Sequence, residues 1–356
     1  MERIDPESLA ARLRELVPMQ HLKEPSALVR VAARWCERHR YWHGPDHVTG
    51  MLQQIRAQVA GEDAEILSLA ALYHDAIYNP RAQDNEEASA ELLRTHAADP
   101  QHTSVRRAVE FIVASKWARP LETSLEKTFF ALDTAQLSDG CSLRERLAYE
   151  LAIFREFQWV DVATYREKRT EFLQGWAARF PQHAKGAGEC IELLRGIQPR
   201  VAVYPGSFNP FHEGHLSILR QAETMFDKVI VAVGINRQKP GAVQSTEDRL
   251  ARLQETMPFH EVTSFSGLLT DFVAQLPVPV TIVRGVRDGT DLEAELRYSR
   301  FLNELRPGTG IVWISCEAEL QHLSSSAIRE LEAISTGAGA RYVPSAAEVY
   351  GLVESL

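Results

Sequence analysis

No two cysteines in this 356-residue chain stand at CxxC spacing; Cys36, Cys141, Cys190 and Cys316 are scattered singly. That excludes a zinc ribbon and a disulfide scaffold, and fits reduced, partly buried thiols in a cytosolic protein. Long apolar runs are missing too, since no uninterrupted stretch approaches the roughly 20 residues of a membrane-spanning helix. The first residues, Met1-Glu-Arg-Ile-Asp-Pro-Glu7, lack the basic and then apolar pattern of a signal peptide. Positive charge is in deficit: a formal net charge of −9 argues against a protein that coats nucleic acid by displacing counterions. Neither a membrane nor a nucleic-acid partner is therefore expected, and the expected location is the cytoplasm. Internal repeats and low-complexity linkers are absent as well. What remains, 45% hydrophobic and 24% charged, is globular and long enough for two domains.

The texture changes once along the chain. Up to about residue 197 the helical period recurs, in Leu9–Val17, Val29–Cys36, Glu65–Tyr73, Val105–Val113 and Leu143–Phe157, with little strand-like alternation. After Pro199 short β-branched runs appear at Val201–Tyr204, Lys228–Gly234, Val280–Val283 and Gly310–Ser315. They alternate with helical segments at Ser217–Phe226, Thr246–Met257, Asp291–Leu305 and Ser325–Ala333. Such alternation predicts a parallel sheet with crossover helices. The expected division is therefore an all-α domain over 1–197 and an α/β domain over 198–356.

The run Val201-Ala-Val-Tyr-Pro-Gly-Ser-Phe-Asn-Pro-Phe-His-Glu-Gly-His215 carries the sharpest chemistry. A strand feeds a Pro-Gly turn, and a glycine then separates His212 from His215 where a helix begins. Free backbone N–H groups, a helix N-terminus and two imidazoles make a site for a polyphosphate whose charge must be held while a bond breaks. Lys239 follows the second strand, and Arg284-Gly-Val-Arg287 ends the third. Ser324-Ser-Ser-Ala-Ile-Arg329 follows the last strand and opens a helix. Cations and hydroxyls at successive strand ends suit phosphate, because ligands of open α/β sheets bind at that edge.

These residues closely resemble phosphopantetheine adenylyltransferases of the HxGH nucleotidyltransferase superfamily, a Rossmann-like α/β fold, over nearly all of 200–356. The likeness includes Asn236-Arg-Gln-Lys239, Thr246-Glu-Asp-Arg249, Gly267-Leu-Leu-Thr-Asp-Phe272 and the stretch from Arg284 to Glu295. It implies that Ser207, Lys239, Leu269 and Arg284 hold phosphopantetheine. It also implies that Phe208, His215, Arg287, Glu295, Ser324, Ser325 and Ser326 hold ATP. In the implied reaction the acceptor's phosphate oxygen attacks the α-phosphorus of ATP and pyrophosphate leaves with Mg²⁺. His215 and Lys239 stabilise the developing charge, while Arg287 and His212 complete the catalytic set. His212 stands where this family usually has threonine, and Asn209 where it has aspartate. Nicotinamide or nicotinate mononucleotide adenylyltransferase, which shares the HxGH and Ser-Phe-Asn-Pro style, is the second reading. The adenylyltransferase resemblance also implies a homo-oligomer.

In the first half, Ala70-Ala-Leu-Tyr-His74-Asp75 ends an apolar helix with an adjacent His-Asp pair. His43 and His47 lie upstream, four apart, and Leu132-Asp133 lies downstream. Imidazole and carboxylate on helices suit a divalent transition metal that turns bound water into a nucleophile. The region resembles the HD superfamily, and more closely a family of metal-dependent HD phosphohydrolases. The likeness runs through Arg40-Tyr-Trp-His43, Tyr73–Tyr78, Asp84–Ala90 and Phe154-Arg-Glu-Phe157. It implies His47, His74, Asp75 and Asp133 as ligands of Mn, Fe, Ni or Co, with His43 and Glu86 nearby. The substrate would be a phosphorylated small molecule. Ala114-Ser-Lys-Trp-Ala-Arg119 departs from that family's Thr-x-x-His, and Ala135 from its second acid. A degenerate, regulatory HD domain is the alternative to a hydrolase.

Overall fold

The computed structural model of the chain describes residues 4–235 and 246–353. Ten helices come first: α1 (Pro6–Arg14), α2 (Pro25–Trp35), α3 (Pro45–Gln58), α4 (Gly61–Tyr73), α5 (Asn85–His96), α6 (Thr103–Ala114), α7 (Ser124–Asp133), α8 (Leu143–Glu156), α9 (Val162–Arg179) and α10 (Ala184–Gly196). Then follow β1 (Val201–Gly206), α11 (Glu213–Met225), β2 (Lys228–Ile235), α12 (Thr246–Thr256), β3 (Val262–Ser266), α13 (Leu269–Gln275), β4 (Val280–Val286), α14 (Gly289–Leu305), β5 (Gly310–Ser315), α15 (Ser325–Ile334) and α16 (Ala346–Tyr350). Two compact units result, and they interleave along the chain. One holds residues up to Glu156, Phe172–Leu193 and the tail from Tyr350; the other holds Phe157–Glu171 and Leu194–Val349.

In the helical unit, proline opens α1, α2 and α3, where its missing N–H costs no hydrogen bond. A reciprocal cap between Thr123 and Glu126 opens α7. Helix α4 is the hub. It is apolar on every side, and each residue from Ile66 to Tyr73 is buried. Helices α3, α5, α6 and α7 all pack against it. That arrangement brings the C-terminal end of α4 into reach of residues on α3 and α7. Among the described residues of this half the only strand-like pairing is the isolated bridge Leu22–Ala97. The tail returns to this unit, with the Arg38 amide donating to the Tyr350 carbonyl at 2.6 Å.

The other unit is built on a five-stranded parallel sheet in the order β3-β2-β1-β4-β5. Strands β1 and β2 are buried along Val201–Tyr204 and Lys228–Val233, as expected where helices cover both faces. Strand order reverses between β1 and β4, the position where such sheets bind ligands. The buried Lys228 ammonium at the start of β2 donates to the carbonyls of Gln158 and Val160 (2.7 Å) and pairs with Glu261 at 2.8 Å. It thereby ties the 157–171 segment to this sheet. Three elements of this half escape the sequence periodicity: β3, a half-buried Val-Thr-Ser-Phe-Ser edge strand, the seven-residue α13 and the short α16. No disulfide links the cysteines. No described helix is long and apolar enough to cross a membrane.

Candidate functional site

At the C-terminal ends of β1, β4 and β5 lies a pocket of about 310 Å³. His212 caps α11: its Nδ1 accepts from the Gly214 amide at 3.2 Å, while its own amide donates to His215 Nδ1 at 3.3 Å. Because each Nδ1 accepts from a backbone N–H, each imidazole must carry its proton on Nε2. The two rings lie against each other, tilted by 33°, with centroids 3.7 Å apart, and both line the pocket. Burial, with Arg287 adding to it, holds His212 down at about 4. Burial, then His212 and Arg287, hold His215 well below the ordinary imidazole range. Both are therefore neutral Nε2–H donors near pH 7. A Cβ at Gly214 would sit 3.1 Å from the His212 ring, a tight contact that the ring would have to relieve by a small shift. At the strand end a Cβ on Gly206 would meet the Phe208 ring at 2.6 Å, and Phe208 itself has φ +43°.

Two guanidiniums face the same space. Arg284 on β4 forms a forked pair with Glu295 on α14, at 2.8 and 2.6 Å. Arg287 pairs with Asp291 at 2.7 and 3.1 Å. Ser324 caps α15, its hydroxyl accepting from the Ala327 amide at 3.1 Å, while the Ser325 hydroxyl donates to the Pro210 carbonyl at 2.9 Å. Arg329 donates to the Asn209 carbonyl and, at 3.2 Å, to Ser326.

The helical unit gathers a second constellation. His47 stands in the first turn of α3, His74 caps the end of α4, Asp75 follows it, and Asp133 ends α7. His74 Nε2 lies 3.3 Å from His47 Nε2, 3.0 Å from Asp75 Oδ2 and 3.3 Å from Asp133 Oδ1. His47 Nε2 is 3.4 Å from the same Asp133 oxygen. His74 Nδ1 donates to the Ala71 carbonyl at 3.0 Å, so Nε2 is the nitrogen a metal would take in place of a proton. Donors about 2.1 Å from one first-row ion stand roughly 3 Å apart when they meet it at right angles, and His47, His74 and Asp75, whose ligand atoms lie within 4.8 Å of one another, could hold such an ion. Burial opposes charge on His74, yet Asp75 and Asp133 outweigh it and raise the imidazole well above its usual value. For His47 burial prevails and lowers it.

Glu156, at the end of α8 with its side chain fully buried, lies within the Phe154-Arg-Glu-Phe157 likeness, where no role attaches to it. One oxygen accepts from the amides of Tyr41, Trp42 and His43 at 2.8, 2.6 and 2.8 Å. The other takes His43 Nδ1 at 2.6 Å and the Tyr78 hydroxyl at 2.7 Å. Burial alone would raise this carboxyl, but His43, Tyr78 and the amides outweigh it and hold it at about 2. His43 is thereby fixed with Nε2 4.0 Å from Asp75. Trp117, with φ +49°, likewise orients Asp133, donating from Nε1 to Oδ2 at 2.9 Å. In the sequence both positions lie in stretches compared with the HD family, Phe154-Arg-Glu-Phe157 and Ala114-Ser-Lys-Trp-Ala-Arg119, with no role attached to either residue.

The cytidylyltransferase-like family model matches residues 203–331. A phosphopantetheine adenylyltransferase of Clostridium tetani (strain Massachusetts / E88) is 38% identical over 133 residues, 37% of this chain and 82% of that protein. Through its C-terminal region the chain belongs to the phosphopantetheine adenylyltransferase family. The same-named protein of Clostridium botulinum (strain Hall / ATCC 3502 / NCTC 13319 / Type A) is 37% identical over 135 residues, 37% of this chain and 81% of that one. Among solved structures, a lipopolysaccharide core biosynthesis protein from Thermoplasma volcanium GSS1 aligns at TM-score 0.27 and 22% identity, over 33% of this chain and 98% of that one.

The cytidylyltransferase-like match runs from β1 to α15, a nucleotidyltransferase domain. Of the residues that the adenylyltransferase resemblance singled out, Phe208, His212, His215, Arg284, Arg287, Glu295, Ser324 and Ser325 line the one pocket. Ser326 sits one residue into α15 and engages Arg329. Leu269 is buried at the start of α13, and the Ser207 carbonyl accepts from Arg249 at 3.2 Å; neither lines the pocket. Lys239 lies outside the described residues.

Proposed function

We propose that the α/β unit transfers the adenylyl group of ATP to 4′-phosphopantetheine, giving dephospho-CoA and pyrophosphate. The observation that carries this reading is the pair of neutral Nε2–H imidazoles at the α11 N-terminus, in one pocket with two guanidiniums. An acceptor phosphate oxygen attacks the α-phosphorus of ATP in line, and the electron pair of the breaking P–O bond leaves with pyrophosphate. Catalysis is then positioning plus charge stabilisation. His212 and His215 donate hydrogen bonds to the phosphoryl oxygens without bringing charge. Arg284, Arg287 and Lys239 supply the charge, and the Ser324–Ser326 turn offers hydroxyls and amides to the nucleotide. Mg²⁺ arrives as the counter-ion of the nucleotide. For Arg284 to reach the acceptor's phosphate it must exchange its Glu295 partner for that phosphate, a swap of one forked anion for another.

Pyrophosphate release tests the reading, with phosphopantetheine and nicotinamide or nicotinate mononucleotide as competing acceptors. Phosphopantetheine is expected to win by at least tenfold in kcat/KM. Preference for a mononucleotide would move the assignment to the second reading, with the helical unit as a regulatory module.

For the helical unit we propose metal-dependent phosphoester hydrolysis of HD type. His47, His74, Asp75 and Asp133 would hold a divalent Mn, Fe, Ni or Co ion, which when bound polarises a phosphoryl oxygen and activates water. Glu156 fixes the His43 ring, and His43 Nε2 faces the pocket where a substrate oxygen would lie.

A homo-oligomer is proposed from α14, which exposes Leu292, Leu296, Phe301 and Leu305, the last two at 62% and 57%. Light scattering of the full chain is expected to give a multiple of its 40.0 kDa mass, and Phe301→Glu to reduce it. A monomer in both would end this proposal.

A further inference from the structure

Glu37 and Arg40, in the turn after α2, form a buried ion pair outside the constellation described above. Arg40 donates from Nε to Glu37 at 3.0 Å and from its other two nitrogens to the carbonyls of Asp75 and Ala76, at 2.5 and 3.0 Å. One guanidinium thus fixes the turn from which the Asp75 carboxylate projects. A buried pair keeps its geometry only while the remaining lone pairs and protons are satisfied. Glu37 Oε1 draws one such partner from far along the chain, the Val353 amide at 3.3 Å, and the Val353 carbonyl accepts from Arg34 at 3.4 Å. Burial raises the Glu37 carboxyl, and Arg40 and the Val353 amide pull against it. The amide therefore helps to keep the charge that holds Arg40. A second route begins at Tyr350, whose buried ring meets the His39 ring edge to face at 6.1 Å. His39 Nε2 donates to the Tyr78 carbonyl at 2.9 Å, and the Tyr78 hydroxyl donates to Glu156, the seat of His43.

We propose that the segment Tyr350–Val353 is a positioning strap for the helical unit's metal site, so that strap engagement and metal occupancy favour one another. The proposal rests on the metal reading above and adds what tunes that site's affinity. Cobalt(II) titrated into the full-length protein gives visible bands that report the His47–His74 site, and His74→Ala supplies the blank. Val353→Pro removes the N–H that Glu37 accepts and touches no ligand. It is expected to raise the cobalt dissociation constant about tenfold, as loss of an outer partner does. Val353→Ala keeps the amide and is expected to bind cobalt as the wild type does. Linkage requires the reciprocal effect: in the wild type, cobalt should slow hydrogen exchange of the 350–353 amides by about the same factor. That measurement alters nothing in the strap, so it decides the matter even if the proline variant fails to fold. A folded Val353→Pro protein with unchanged cobalt affinity, or exchange indifferent to bound cobalt, overturns the strap while the metal site stands. Identical cobalt spectra for the wild type and His74→Ala would overturn the metal reading and the proposal with it.

Discussion

Adenylyl transfer by the His215→Ala protein is expected to fall at least about 100-fold in kcat, the usual loss when one preorganised donor to a phosphoryl or oxyanion charge is removed. The reason lies in the cap. The His212 amide bonds His215 Nδ1, so Nε2–H is the only proton the ring can offer, and burial keeps the ring neutral. An asparagine at 215, which keeps an N–H donor, is expected to recover part of the loss; a charge-based role for the imidazole would predict no recovery. The same variant should show a second change. In the native protein His215 lies far below, and His212 at about 4, the imidazole value of roughly 6.5 expected of the unfolded chain. Their contribution to stability is fully present above that value and is lost as pH falls toward the folded values, because the unfolded chain takes up protons first. Thermal unfolding between pH 7 and 4.5 is therefore expected to be less acid-sensitive in His215→Ala than in the wild type. Near-normal turnover by the variant would sink the assignment of this pocket.

Loss of His74 is expected to be as severe in the other unit. His74 Nε2 is the atom around which His47, Asp75 and Asp133 gather, all within 3.4 Å. His74→Ala should drop bound divalent metal from near one equivalent to background, and hydrolysis with it. Glu156→Gln touches no ligand directly, yet it weakens the seat of His43 and Tyr78. Outer partners of metal sites typically contribute 10–100-fold, so its metal affinity or turnover should fall by about that factor. Metal content by mass spectrometry, with chelator competition for affinity, separates the two variants. Full occupancy in His74→Ala would remove this site from the ligand list.

Much of this was legible in the amino-acid sequence because the chemistry is local. His212, Gly214 and His215 are close in the chain, and helix capping brings the two imidazoles together. His74-Asp75 is legible for a similar reason, standing where an apolar helix ends. What stayed hidden depends on distant partners. Nothing in Phe154-Arg-Glu-Phe157 announces that Glu156 collects three amides from residues 41–43, since those bonds span more than 110 positions. Arg284 and Arg287 read as open phosphate clamps, whereas each is closed onto a carboxylate of α14. Strand β3 was missed because an edge strand, half exposed, needs no apolar alternation to hold its place beside β2.

The interleaving of the two units has a hereditary consequence. A recombination event that joins two genes end to end needs one breakpoint and yields two separable halves. Here residues 157–171 belong with the sheet, residues 172–193 and the tail from Tyr350 belong with the helices, and no single breakpoint sorts them. A cut after α10 leaves the helical unit without the tail that meets Arg38 and the sheet without the segment gripped by Lys228. With the chain threaded this way, a cut at any single point removes residues from one unit or the other.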